Sequence, residues 1–137
     1  MTLMPLPLHA SSTALVTWTS ILAVATLAVT GEVLTAAAMH QIGDFDDIRA
    51  KSGMKGAIFA VIFNPIFVLG AAAMTLNFFV MLYALSVADV SLVAPATASL
   101  TYIGNAVAAK LFLRENVDRR RWIAASFVIL GVILLAK

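Results

Sequence analysis

The chain has 137 residues, of which 62% are hydrophobic and 12% charged, with a net charge of +2 and no cysteine. Soluble domains carry roughly 25% charged residues, and one this small could not hide so much apolar side chain, so lipid is the solvent that this composition fits. No basic patch with interleaved aromatics is present, which argues against nucleic acid as a partner, and the missing cysteines exclude disulfides, thiolate nucleophiles and thiolate metal sites.

The expected fold is therefore all-α, a polytopic membrane protein forming one transmembrane domain over residues 1–137 with the bilayer as its first partner. The N-terminus lacks a basic region and does not read as a cleaved signal peptide. The first apolar segment, residues 13–39, holds a single charge, Glu32, and exceeds the roughly 20 residues that cross a core about 30 Å thick. A second apolar stretch, residues 56–87, is uncharged but too long for one straight crossing. Asn64-Pro65 divides it, because proline disfavours helix in the residue before it and suits a helix start. The second span is placed at residues 64–86, with residues 52–63 an interfacial lead-in; the alternative is one long kinked helix. A turn at Ala88-Asp89 makes an antiparallel hairpin with the third span, residues 90–112. The fourth span, residues 120–136, is short. Arg119, Arg120 and Arg121 at one end and Lys137 at the other extend it by snorkelling, unless the chain continues past Lys137.

Basic residues set the orientation. Arg49, Lys51 and Lys55 in the first loop join Lys110, Arg114 and Arg119–Arg121 in the third on one side; only Lys137 lies on the other. Loops rich in Lys and Arg stay in the cytoplasm, so both termini are expected outside the cytoplasm of a bacterial inner membrane.

Glu32 is the one ionisable group deep in a span. A carboxylate there costs roughly 2.5–3.5 kcal/mol on insertion scales, so such residues usually face a cavity or a partner. Its helical neighbours Ala25, Ala28, Val29, Thr35, Ala36 and Met39 are mostly small, leaving room for a substrate or a close helix, and Thr35 is placed to hydrogen-bond the carboxylate. A carboxyl group so placed can exchange a proton for a substrate; the competing reading is a protonated structural residue between packed helices. The third span carries Ser91, Ala94, Pro95, Ala98, Thr101, Tyr102 and Asn105 on one face. That stripe suits close helix packing with interhelical hydrogen bonds, and equally the lining of a pathway. Asn77 in the second span needs a partner and is expected to face inward, with Tyr83, Phe78 and Phe79 nearby as lipid-facing or core residues rather than a cation box. Trp18 and Trp122 read as interfacial anchors, and His40 as a solvated residue at the water boundary. Candidate substrate- and proton-binding residues are thus Glu32, Thr35, Asn77, Ser91, Tyr102 and Asn105. No nucleophile–base set, phosphate-cradling loop or paired intramembrane carboxylates appear, so no enzyme, cofactor or metal is expected.

Two stretches carry a family resemblance. Gly31-Glu32-Val33, followed by Met39-His40 and Phe45, resembles the first helix of small multidrug resistance transporters. The second half, through Ala88-Asp89-Val90-Ser91, Ala94-Pro95, Leu113-Arg114-Glu115, Arg121-Trp122 and Gly131-Val132, resembles the EamA-like domain of the drug/metabolite transporter superfamily. The resemblance implies a bundle of four transmembrane helices acting as a dimer, a homodimer or a heterodimer with a similar short chain. In the small multidrug resistance group the embedded glutamate of each protomer binds substrate and protons in turn, a role that carries over to Glu32 alone. That group's third-helix aromatics have no counterpart in Ser91–Ala98, and the charge bias departs from its dual-topology dimers. Both departures fit the EamA-like side, which includes subunits that flip undecaprenyl-phosphate-linked aminoarabinose; a glutamine is common there near the Glu32 position, so the glutamate argues for proton coupling. The first expectation is a small secondary transporter of an organic substrate, proton-coupled through Glu32. The second is a flippase subunit for a lipid-linked sugar, with Arg114 and Arg119–Arg121 meeting a phosphate headgroup or simply anchoring the loop. The third is a non-transporting accessory subunit.

Overall fold

The computed structural model describes residues 7–112, 114, 116 and 118–135, with backbone alone for residues 7–11. Leu113, Glu115, Ala136 and Lys137, used in the reading above, lie outside the described residues. The described elements are α1 (Pro7–Ile42), α2 (Phe45–Ile62), α3 (Pro65–Val87), α4 (Val90–Leu111) and α5 (Arg119–Leu135).

Three of these helices are long and apolar enough to cross a membrane: α1 over Ser12–Ile42, α3, and α4, with mean hydropathies of 1.8, 2.0 and 1.2. This is the pattern of a helical membrane protein. The expected fourth span is not among them. α5 has 17 residues, and at 1.5 Å per residue it reaches about 26 Å, short of a core about 30 Å thick.

The boundaries follow local chemistry. α1 outruns its apolar stretch because His40, Gln41 and Ile42 continue the helix until Gly43, whose φ of 78° turns the chain left-handed while its N–H closes on the Met39 carbonyl at 3.2 Å. α2 begins at Phe45 rather than residue 52, since Asp44 occupies the cap position and Asp46 and Asp47 sit in the positive first turn. Gly53, at φ 73° and ψ −179°, breaks α2 between its charged first half and its apolar second half. At the head of α3 the Asn64 side chain accepts from the N–H groups of Ile66 and Phe67 at 2.9 and 3.2 Å, with Pro65 in the first helical position. Asn64-Pro65 is thus a helix start and not a kink in a longer helix. Ala88-Asp89 joins α3 to α4, and the Asp89 carbonyl accepts the first α4 bond, from Val93 at 2.9 Å. α4 runs on through Pro95.

α1 is the centre of the bundle. Its first half packs with the end of α3 and the start of α4 in a cluster of Ile21, Val24, Ala84, Val93 and Ala96. Further along, Gly31 of α1 meets Gly70 of α3, and Val29 meets Gly104 of α4. Position numbers that rise together on α1 and α4 and oppositely on α1 and α3 make α4 parallel to α1 and α3 antiparallel. α5 folds back on α4, with the Lys110 ammonium 5.6 Å from the centre of the Trp122 ring. The outward faces carry Phe78, Phe79, Leu82, Phe127 and Leu134, all exposed, as lipid requires.

Candidate functional site

The site is built on two consecutive residues of α1. Gly31 faces α3 at close range: a Cβ there would lie 2.9 Å from Met74 Cγ and 3.2 Å from the Gly70 carbonyl oxygen. Glu32 follows about 100° further round the helix and faces α4. There the Asn105 side-chain amide donates a hydrogen bond to Glu32 Oε2. Just before this pair α1 and α4 touch closely, since a Cβ on Gly104 would come within 2.6 Å of Val29 Cγ2. Beyond it the helices part.

The opening is a groove of ≈ 360 Å³ between α1, α4 and the start of α5. Glu32, Asn105, Tyr102 and Arg121 supply its polar groups, and Val33, Ala36, Ala106 and Ala109 its small apolar wall. Glu32 is exposed on the open side. Glu32 and Arg121 share the groove without pairing; no ion pair joins them among the described residues. A second hollow of ≈ 390 Å³, lined by Ala36, Met39, His40 and Gly43, shares Ala36 with the first and carries it towards the end of α1.

The structure brings together three of the six candidates, Glu32, Tyr102 and Asn105. Thr35 goes elsewhere. Its hydroxyl donates to the Gly31 carbonyl at 2.8 Å, and it lies against Gly70 on the α3 side, so it does not reach the carboxylate as its spacing had suggested. Three residues along a helix is a near neighbour only when both side chains lean the same way, and the backbone carbonyl one turn back is the nearer acceptor. Asn77 is half-buried on α3, with its Oδ1 buried and without a hydrogen-bond partner, and it does not line the groove. Ser91 is exposed in the first turn of α4, about 21 Å from Asn105 at 1.5 Å per residue. The α4 stripe of Ser91, Ala94, Pro95 and Ala98 is exposed; Val93, Ala96 and Thr97, one or two positions along, form the buried face instead.

Arg121 lines the groove although it is not among the six candidates; the sequence offers the whole run Arg119–Arg121, either to meet a phosphate headgroup or to anchor the loop, and does not single it out. The usable signal was positional: the short α4–α5 connection runs the two helices antiparallel and sets residue 121 opposite the end of α4. His40 is exposed in the last turn of α1, as expected of a boundary residue, and there it lines the hollow adjoining the groove. Among the described residues no three His, Cys, Asp or Glu side chains gather to hold a metal ion.

Chemically the groove offers one carboxyl that can hold a proton or a cation, one amide that orients it, a phenol and a guanidinium. No known protein family, curated protein or solved structure matches the chain.

Proposed function

We propose that this chain is a small secondary transporter of the drug/metabolite class that moves a small organic substrate in exchange for protons through Glu32. The observation that carries the reading is the Glu32–Asn105 pair, held in the longest apolar helix and opening onto a groove rather than sealed between helices. A carboxyl group within a span is costly, so such residues are rare and usually functional. Asn105 orients it without neutralising it, so proton and substrate compete for the same oxygens. Such competition couples the two flows. The EamA-like and small multidrug resistance-like motifs support the same class.

In this reading α5 is the fourth crossing, extended by snorkelling arginines, both termini lie outside the cytoplasm, and the membrane is a bacterial inner membrane. The groove is open on the side where Glu32 is exposed, and a second chain, identical or similar, covers that side. Rocking of helix bundles about the midplane site gives alternating access.

The test is uptake into sealed vesicles under an imposed pH gradient, with protein carrying Glu32→Gln as the comparison. Gradient-driven accumulation is expected for the unaltered chain and none above empty vesicles for the variant. Equal accumulation by both would overturn the coupling role. A second reading, a flippase subunit for a phosphate-linked lipid, is favoured by one observation: Arg121 lines the groove, where a headgroup phosphate would meet it. Substrate recovered in the opposite leaflet rather than in the lumen would select it.

A further inference from the structure

Arg121 is the third of three consecutive arginines, and only this one lines the groove. Successive residues on a helix point about 100° apart, so a run of three sends its side chains in three directions. Fixing topology needs only the number of positive charges near the membrane, not their direction. The direction of Arg121 therefore asks for its own explanation. So does the company it keeps. A site shaped for a simple cation would gain nothing from a guanidinium in the same cleft, since it repels the ligand that Glu32 attracts. A site shaped for a simple anion would be spoiled by Glu32 in the same way. The two side chains do not cancel each other, as they share the groove without an ion pair.

Their spacing is set by the helices. Asn105 holds Glu32, and Lys110 sits over Trp122, next to Arg121. Five residues of α4, about 7.5 Å along the axis, separate Asn105 from Lys110, so the two charges are attached at different levels of the groove. Long side chains at both ends can shorten that gap. Ala106 and Ala109 line the wall between, keeping the middle apolar and narrow.

Resting on the reading of this groove as the substrate site, we propose that its ligand is a small zwitterion, with an ammonium group at Glu32 and a carboxylate or phosphate at Arg121, the two joined by a short apolar chain. Tyr102 and Asn105 supply neutral hydrogen-bonding groups at the Glu32 end. The same pair of charges occurs in free amino acids with a distal amine and in aminoalkyl phosphate headgroups of lipids, and the groove's recognition chemistry is common to both.

The experiment measures binding to the purified, folded chain in detergent by tryptophan fluorescence, Trp122 adjoining Arg121. The probes are γ-aminobutyrate and its two halves, butylammonium and butyrate. The unaltered protein is expected to bind γ-aminobutyrate at least about tenfold more tightly than either half, the size of one well-placed charge-assisted contact. Arg121→Gln should reduce that advantage over butylammonium to about one, and Arg121→Lys should restore part of it. Arg119→Gln, which removes the same charge from another direction, should leave the advantage intact. Phosphoethanolamine against lysophosphatidylethanolamine then separates a free ligand from a lipid headgroup, and preference for either supports the zwitterion. Butylammonium binding as tightly as γ-aminobutyrate, an equal effect of Arg119→Gln and Arg121→Gln, or no binding of any probe would overturn it. The outcomes distinguish the two readings. If butylammonium binds and is carried by the proton gradient with no zwitterion advantage, the transport reading stands and this one falls. If the zwitterion advantage is present but the gradient moves nothing, the reverse holds.

Discussion

The two faces of α1 solve opposite problems with adjacent residues. Towards α3 the helix presents Gly31, and Gly70 answers it, so two backbones approach until a single Cβ would collide at 2.9 Å with Met74 on one side and Thr35 on the other. Towards α4 it presents Glu32, and a groove of ≈ 360 Å³ opens beside the Glu32–Asn105 hydrogen bond. In lipid there is little hydrophobic drive between helices, so close van der Waals packing of small residues supplies the cohesion. The contact with α3 is closed at this level, while the contact with α4, tight at Val29 and Gly104, opens just beyond them into the polar groove. At this level one face is sealed by backbone contact while the other holds the candidate site.

That contrast can be broken from either side. The largest effect is expected from Glu32→Gln, which should reduce gradient-driven uptake to the level of empty vesicles while moving unfolding stability by less than about 0.5 kcal/mol. A large stability loss in this variant would mean that the groove face is also structural. Gly70→Leu should do the opposite. The added side chain meets Thr35 and the Gly31 carbonyl, and overpacking of this kind costs about 3 kcal/mol, measurable as a fall in midpoint on unfolding from mixed micelles. Asn105→Ala removes the amide donor from the carboxylate, a loss of about 1.5 kcal/mol, read as roughly tenfold weaker substrate binding with little change in midpoint. The smallest effect belongs to Thr35→Val. Its hydroxyl bonds only its own helix, at 2.8 Å, so both uptake and stability should shift by less than about 0.5 kcal/mol. An uptake defect there would show that Thr35 serves the carboxylate after all.

Much of this architecture could be read from residues alone. Asn64-Pro65 carries its own start signal, Ala88-Asp89 its own turn, and an isolated glutamate among alanines and valines announces itself. What escaped has common physical causes. Hydropathy registers where lipid ends, not where backbone hydrogen bonding ends, so α1 and α2 begin earlier than their apolar stretches and α1 ends later. The left-handed Gly53 inside α2 depends on a choice that any glycine can make and few do. The rotation of α4 about its axis is decided by which small residues meet α1; Val93, Ala96 and Thr97 won over the neighbouring stripe of Ser91, Ala94 and Ala98, and a periodicity of three or four fits both. The place of Arg121 and His40 at the groove and its neighbouring hollow is a tertiary fact, fixed by how α4 and α5 pack and by how far α1 extends.

The two-residue junction at Ala88-Asp89 has a consequence for movement. It is the covalent link between the α1–α3 pair and the α4–α5 pair, and it lies at the opposite end of α4 from Asn105. The stretch from Asp89 to Asn105 is a lever arm of about 24 Å. A swing of about 10° at that pivot would carry Asn105 sideways by about 4 Å, more than a hydrogen bond can stretch. Leverage of this kind would let a barely perceptible adjustment at one membrane face unclasp a carboxyl group deep in the span.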